Sequence, residues 1–139
     1  MAADPNCIFC KIAAGDVPCF KLFEDAETLA FMDINPVHDG HCLVIPKAHH
    51  ETVFELPPEA FAAAGRTAIR VAKAVNAALQ PDGLNLLQAN GPGAAQSVAH
   101  FHIHVLPRRL GDGLLINWQL QPGDRERVAA VAERIRGFL

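Results

Sequence analysis

The chain has 139 residues, half of them hydrophobic and 19% charged, with a formal net charge of -3. That balance gives no general attraction to nucleic acid or to an acidic membrane surface, and no apolar run approaches the roughly 18 residues of a membrane span. A chain of this length is expected to form one domain, residues 1–139, around one core. Met1–Asn6 contains the acidic Asp4 and no positively charged start before an apolar stretch, so the expected setting is the cytoplasm, with reduced thiols.

In chain order, Cys7–Ala13 reads as a short helix ended by Gly15, and its two cysteines, three residues apart, project from one side. Phe20–Glu24 and Thr28–Asp33 alternate in polarity around Asp25-Ala26-Glu27, which predicts a β-hairpin. After a loop over Asn35–Gly40 comes a third strand, His41–Ile45, which Pro46 is expected to stop because proline cannot donate to a ladder. Pro57–Leu79 predicts the main helix, with Phe61, Ala68, Ile69, Ala72, Val75 and Leu79 at helical spacing. A fourth strand, Leu84–Gln88, leads into a glycine-rich loop from Asn90 up to His100. His100–Leu106 is the fifth strand. A closing helix over Arg125–Phe138 carries Val128, Val131, Ile135 and Phe138 in one stripe. These elements predict an α+β domain: a mainly antiparallel five-stranded sheet with one long central helix, a short N-terminal helix and a C-terminal helix.

The densest chemical signal is His100-Phe101-His102-Ile103-His104-Val105. Successive strand side chains face opposite ways, so Phe101, Ile103 and Val105 can enter the core while three imidazoles share the other face. Folding alone asks for no such row, and two chemistries fit it. One is metal ligation. The other is nucleophilic attack on phosphorus by a neutral imidazole whose tautomer is fixed by a bond from its other nitrogen. The small-residue loop Gly91–Ser97 favours the second, since backbone N–H groups can approach phosphate oxygens there, with Gln96 and Ser97 as side-chain donors.

Of the four cysteines, Cys19 and Cys42 lie in apolar surroundings and read as small hydrophobes. Cys7 and Cys10 read as metal ligands, which is half of a tetrahedral site. His38, His41, His49, His50 and the histidine row all offer completing ligands, and spacing does not choose among them.

The stretch from His100 to Leu106 resembles the histidine triad (HIT) family pattern. So do Phe31-Met32-Asp33-Ile34, His41 through His49, and Gly91 through Ser97, in the family's order and spacing. The resemblance spans about Cys7 to Arg108 and implies a HIT-like fold and a nucleotide hydrolase or transferase acting at the α-phosphorus of adenosine monophosphate conjugates. It implies His102 as the nucleophile that forms a nucleotidyl-histidine, His104 at the phosphate or leaving group, and His41 orienting the nucleophile. It further implies Gln96 and Ser97 at the phosphates and leaving atom, Asp33 on the ribose hydroxyls, and Ile8, Phe9, Phe31 and Ile34 around the purine. Members resembling this chain hold one structural Zn2+ per chain on residues matching Cys7, Cys10, His49 and His100, and pair as homodimers. An uncovered sheet edge at Leu84–Gln88 points the same way. His50 is expected at the surface and His38 in a loop, neither with a function.

Where related enzymes commonly carry Asn or Gln beside the nucleotide, this chain has Ala89, followed by Asn90. Arg108 and Arg109 are candidates to neutralise a polyphosphate tail, although arginines just past a strand are more often a solvated end. Phosphoramidates are therefore the expected preference over dinucleoside polyphosphates. Two other readings compete: a zinc-dependent hydrolase using the histidine row as ligands, and a non-catalytic nucleotide-binding or scaffold protein.

Overall fold

The computed structural model describes residues 3–116 and 119–139. Its sheet contains β1 (Lys21–Glu24), β2 (Thr28–Met32), β3 (Cys42–Pro46), β4 (Gly83–Leu87) and β5 (Ile103–Arg108), ordered β1-β2-β3-β5-β4 with every neighbouring pair antiparallel. The helices are α1 (Ile8–Ala14), α2 (Pro58–Leu79) and α3 (Arg125–Arg136). This is the α+β arrangement that the alternating and helical periodicities predict.

Pleating sorts the central strands onto two faces. Ala30, Cys42, Val44, Ile103 and Val105 meet α2 through Ala64, Ala68, Val71 and Val75, whereas Leu29, Phe31, Leu43 and Ile45 meet α1 through Cys7, Phe9 and Cys10. With both faces covered, β3 is buried throughout.

Several boundaries and faces differ from expectation. Pro46 is the last residue of β3 and pairs with Thr28, because its carbonyl, which needs no N–H, remains useful and accepts from His100 Nε2 at 2.7 Å. The β5 ladder starts at Ile103 rather than His100, since the Phe101 N–H turns away to the carbonyl of His50 at 2.7 Å. Side-chain alternation nevertheless holds: Phe101 is fully buried in the α2 layer. The buried face of α2 is Ala63, Ala64, Thr67, Ala68, Val71 and Val75, while Phe61, Ile69 and Leu79 are exposed. Small residues let the helix sit close to the sheet, and Thr67 belongs to that face because its hydroxyl meets that of Thr28 at 2.7 Å. In α3 the stripe Val128, Val131 and Ile135, with Phe138 beyond its end, is exposed. Strand β4 lies at one edge of the sheet with Leu86 exposed.

Candidate active site and metal centre

Backbone groups decide the state of each imidazole. His102 Nδ1 lies 2.7 Å from the carbonyl of His100, and a carbonyl only accepts, so Nδ1 carries the proton and Nε2 keeps its lone pair. The backbone N–H of Val37 points at His41 Nδ1 at 3.1 Å, which makes that nitrogen the acceptor and puts the proton of a neutral His41 on Nε2. His41 Nε2 then donates to His104 Nδ1 at 2.8 Å, which leaves the His104 proton on Nε2. Asp33 Oδ2 stands 3.5 Å from His41 Nε2. The rings of His102 and His104 are 4.9 Å apart, centroid to centroid.

Burial favours these neutral forms. It pushes His104 down to about 4, helped by the neighbouring His102 and His41 and opposed by Asp33. It also lowers His102, against the carbonyl of His100 and the charge of Asp33, which both raise it. His41 is lowered by burial too, with Asp33 opposing. The row thus offers at neutral pH an uncharged nucleophile beside an uncharged N–H donor.

His102 and His104 open onto a cavity of about 450 Å³ walled by Ile8, Phe9, Phe31, Asp33, Ile34 and Ser97, a size suited to a small ligand. Ile12, Val17, Pro18, Cys19, Met32, Asn35, Leu43 and Val98 complete the wall without a site role read from the sequence; Val17, Pro18, Cys19, Asn35 and Val98 lie in loops, where periodicity says little, Ile12 in α1, and Met32 and Leu43 in strands. His41 stands behind the row rather than in the wall. Gln96 corrects the expectation of a direct phosphate donor: its Oε1 accepts from Gly91 N at 2.8 Å, and its Nε2 donates to the carbonyls of Glu51 at 2.7 Å and Val98 at 3.0 Å. That amide clasps the loop that presents Ser97.

Neither neighbour of Ala89 replaces a polar group there, because Gln88 and Asn90 bond to each other at 2.6 and 2.9 Å. The arginines are also committed. Arg108 binds both carboxylate oxygens of Asp112 at 2.7 and 2.9 Å, together with Asn85 and the carbonyl of Leu114, while Arg109 caps the end of α2 on the carbonyls of Leu79 and Gln80. His38 lies 3.2 Å from Asp112. His50, expected at the surface, is buried at 6% exposure, because its backbone is drawn inward by the bond to Phe101.

Behind the row, Cys7, Cys10, His49 and His100 are all buried and converge with their ligand atoms within 4.8 Å of one another. His100 Nδ1 lies 3.4 Å from Cys7 Sγ, 3.6 Å from Cys10 Sγ and 3.3 Å from His49 Nδ1, and Cys10 Sγ lies 3.4 Å from His49 Nδ1. Bond lengths of about 2.0–2.3 Å in a tetrahedron require edges of roughly 3.3–3.8 Å, so this donor set fits zinc. Outer partners are in place as well. His100 Nε2 donates to Pro46 O, which frees Nδ1 toward the thiols, and Asp4 Oδ2 lies 4.0 Å from His49 Nε2. Asp4 escaped the sequence reading; its place three residues before Cys7, where its carbonyl receives the Cys7 N–H, was the available signal. Asp33, His41 and His104 also converge, but the 2.8 Å between the two imidazole nitrogens is a hydrogen bond, shorter than the roughly 3.3 Å between two ligands of one zinc.

Comparison with known proteins agrees with this geometry. The HIT domain model matches residues 14–111. Adenosine 5'-monophosphoramidase hnt1 of Schizosaccharomyces pombe is 43% identical over 131 residues, covering 94% of this chain and 96% of that protein. A HIT family protein of Bacillus anthracis superposes with a TM-score of 0.90 at 40% identity, over 99% of both chains. A zinc-bound histidine triad family protein of Mycobacterium smegmatis superposes with a TM-score of 0.75 at 38% identity, over 95% of this chain and 97% of that one. With the model match covering most of the chain and relatives aligned nearly end to end, the protein belongs to the HIT domain family.

Proposed function

We propose that the protein hydrolyses adenosine nucleotide conjugates at the α-phosphorus through a nucleotidyl intermediate on His102. The observation that carries this reading is the 2.7 Å bond from His102 Nδ1 to the carbonyl of His100, which leaves Nε2 as a lone pair facing a cavity sized for a nucleotide. The Schizosaccharomyces pombe relative is named an adenosine 5'-monophosphoramidase, which supports this reading.

In the first step the Nε2 lone pair forms a bond to phosphorus while the bond to the leaving atom breaks in line; His104 Nε2–H donates a hydrogen bond to that atom, which takes its proton from solvent as it departs. His102 retains its Nδ1 proton and becomes cationic, so its bond to the His100 carbonyl strengthens as charge develops. Water then attacks phosphorus, the P–N bond breaks, its electron pair returns to His102 Nε2, and the surplus proton of the attacking water returns to solvent. Asp33, Ile8, Phe9, Phe31, Ile34 and Ser97 line the cavity; in this reading Asp33 takes the ribose hydroxyls, the four hydrophobic residues take the base and Ser97 takes the phosphate. His102→Ala protein incubated with adenosine 5'-phosphoramidate should still bind adenosine monophosphate, yet form no acid-labile adenylate and lose nearly all turnover. Undiminished turnover in the folded variant would reject the role given to His102.

The fit of Cys7, Cys10, His49 and His100 supports one structural zinc per chain, a closed four-ligand ion that would supply cross-linking rather than a reaction step. Elemental analysis of protein prepared without added metal tests this. The alternative of a catalytic zinc on the whole histidine row is disfavoured because His100 turns to the thiols while His102 and His104 turn to the cavity. The edge position of β4 and the exposed Leu86 support a homodimer, which light scattering at micromolar concentration tests. Reduced thiols at the zinc ligands suit the cytoplasm.

A further inference from the structure

Helix α1 belongs to two sites at once. Ile8, Phe9 and Ile12 line the cavity, while Cys7, its N-cap, and Cys10 reach the metal cluster. At 7 residues it falls far below the roughly 12–15 at which isolated helices become even marginally stable, so tertiary links must hold it.

Those links are few. Within residues 3–17 the backbone bonds close on the segment itself: Cys7 N to Asp4 O, Asp4 N to Cys10 Sγ, and Gly15, Asp16 and Val17 N back onto the helix. Among the described residues, every polar link from this segment to the rest of the fold ends on His49 or His100: Cys7 to His100, Cys10 to both, and Asp4 to His49. Only Phe9 and Cys10 of the helix are buried, and Phe9 sets its ring edge-on to Phe31, His100 and His102 at 5.3–5.9 Å. Without an ion joining the thiols to the imidazoles, α1 would be a short helix held only by the apolar contacts of Phe9, Cys10, Ile12 and Ala13 on the sheet, the kind of element that opens locally at low free energy.

We propose that the metal held by Cys7, Cys10, His49 and His100 latches α1 as a wall of the nucleotide cavity, so that metal and nucleotide bind cooperatively. The inference rests on the nucleotide-binding reading of that cavity. Linkage makes the effect reciprocal: if the metal tightens adenosine monophosphate on the order of tenfold, the nucleotide tightens the metal by the same factor.

The test uses the full-length protein, zinc-loaded and after chelation. Calorimetry measures adenosine monophosphate affinity in each form, and competition with a chromogenic chelator measures zinc affinity with and without the nucleotide. Hydrogen exchange of amides 8–14 is compared with that of amides 59–79. The expected results are roughly tenfold weaker nucleotide binding without zinc, an equal change in zinc affinity with nucleotide, and faster exchange confined to α1. Equal nucleotide affinity in both forms would overturn the latch, as would exchange rising equally in α2, since the metal would then hold the whole fold. Protein that binds no nucleotide in either form would refute the nucleotide reading instead, and unchanged exchange in α1 would still decide against the latch.

Discussion

Gly40 stands one residue before His41 with φ at +91°, and a Cβ added there would collide with Leu79 Cδ1 and come within 3.0 Å of Pro107 Cγ. Gly40→Ala therefore combines two costs. Backbone strain for an L residue at positive φ is about 1–2 kcal/mol, and overpacking adds about 1–3 kcal/mol. Leu79 is a flexible side chain at 38% exposure and can swing aside, whereas the Pro107 ring sits in the β5 ladder and cannot, so we expect a total of about 2–4 kcal/mol. For a domain of this size that lowers Tm by roughly 8–15 °C. Gly111 is the control, because its φ is +73° but nothing lies within 4 Å of its added Cβ. Gly111→Ala should lose only the strain, roughly 4–8 °C, and both variants share the same stiffening of the unfolded chain. Since the His41 carbonyl bonds Asp33 N at 3.0 Å, displacement at Gly40 should also lower kcat on a phosphoramidate by tenfold or more. Thermal melts and steady-state rates on the two variants provide the measurement. Equal losses of Tm would show that Leu79 and Pro107 do not crowd Gly40, and the packing argument would fail.

His41→Ala removes the donor that fixes His104, so kcat on adenosine phosphoramidate should fall about 100- to 1,000-fold, with a much smaller loss on a mixed anhydride whose leaving group needs no proton. Equal losses on both would show that His41 does not act through the His104 N–H. Burial holds His104 near about 4, so an unfolded chain takes up a proton below its ordinary 6.5 while the folded one does not; the resulting stability is full above 6.5 and is lost as pH falls toward 4. Discounted for solvent screening, wild type should therefore lose on the order of 1–2 kcal/mol more than His104→Gln between pH 7 and pH 4 in denaturant titrations, and a pH-independent difference would contradict the shift. With Arg108 and Arg109 bound to Asp112 and the end of α2, phosphoramidates should show higher kcat/KM than diadenosine polyphosphates under matched conditions. The reverse order would mean that one of these arginines is recruited by substrate.

The strands and the histidine row were legible because period-two patterning is a direct image of the pleat, and Phe101, Ile103 and Val105 lie in the core as their alternation implies. The face of α2 was legible only in part: Ala68 and Val75 are buried as their spacing implies, whereas Phe61, Ile69 and Leu79 are not. Alanines on every side blur helical periodicity, and the largest apolar residues, Phe61 and Ile69, drew the stripe away from the small residues that allow close packing. Gln96 has the chemistry of a phosphate donor, and only the loop's own unmet backbone groups show why its amide is used elsewhere. His50 was misplaced for the same reason: its backbone carbonyl, invisible to any side-chain pattern, fixes its depth.

The same limit governs the catalytic row itself. Alternation makes His100, His102 and His104 equivalent, three imidazoles on one face, and their different properties come from main-chain partners. His100 gives its Nε2 proton to Pro46 O, so its lone pair turns to the thiols. His102 gives its Nδ1 proton to His100 O, so its lone pair turns to the cavity. His104 receives at Nδ1 from His41, which Val37 N–H has already oriented, so it presents a proton instead of a lone pair. A ligand, a nucleophile and a donor thus arise from one repeated residue type. The end of β3 at Pro46 and the loop through Val37 belong to this chemistry as fully as the triad does, because shifting either backbone group would exchange a lone pair for a proton at a reacting nitrogen.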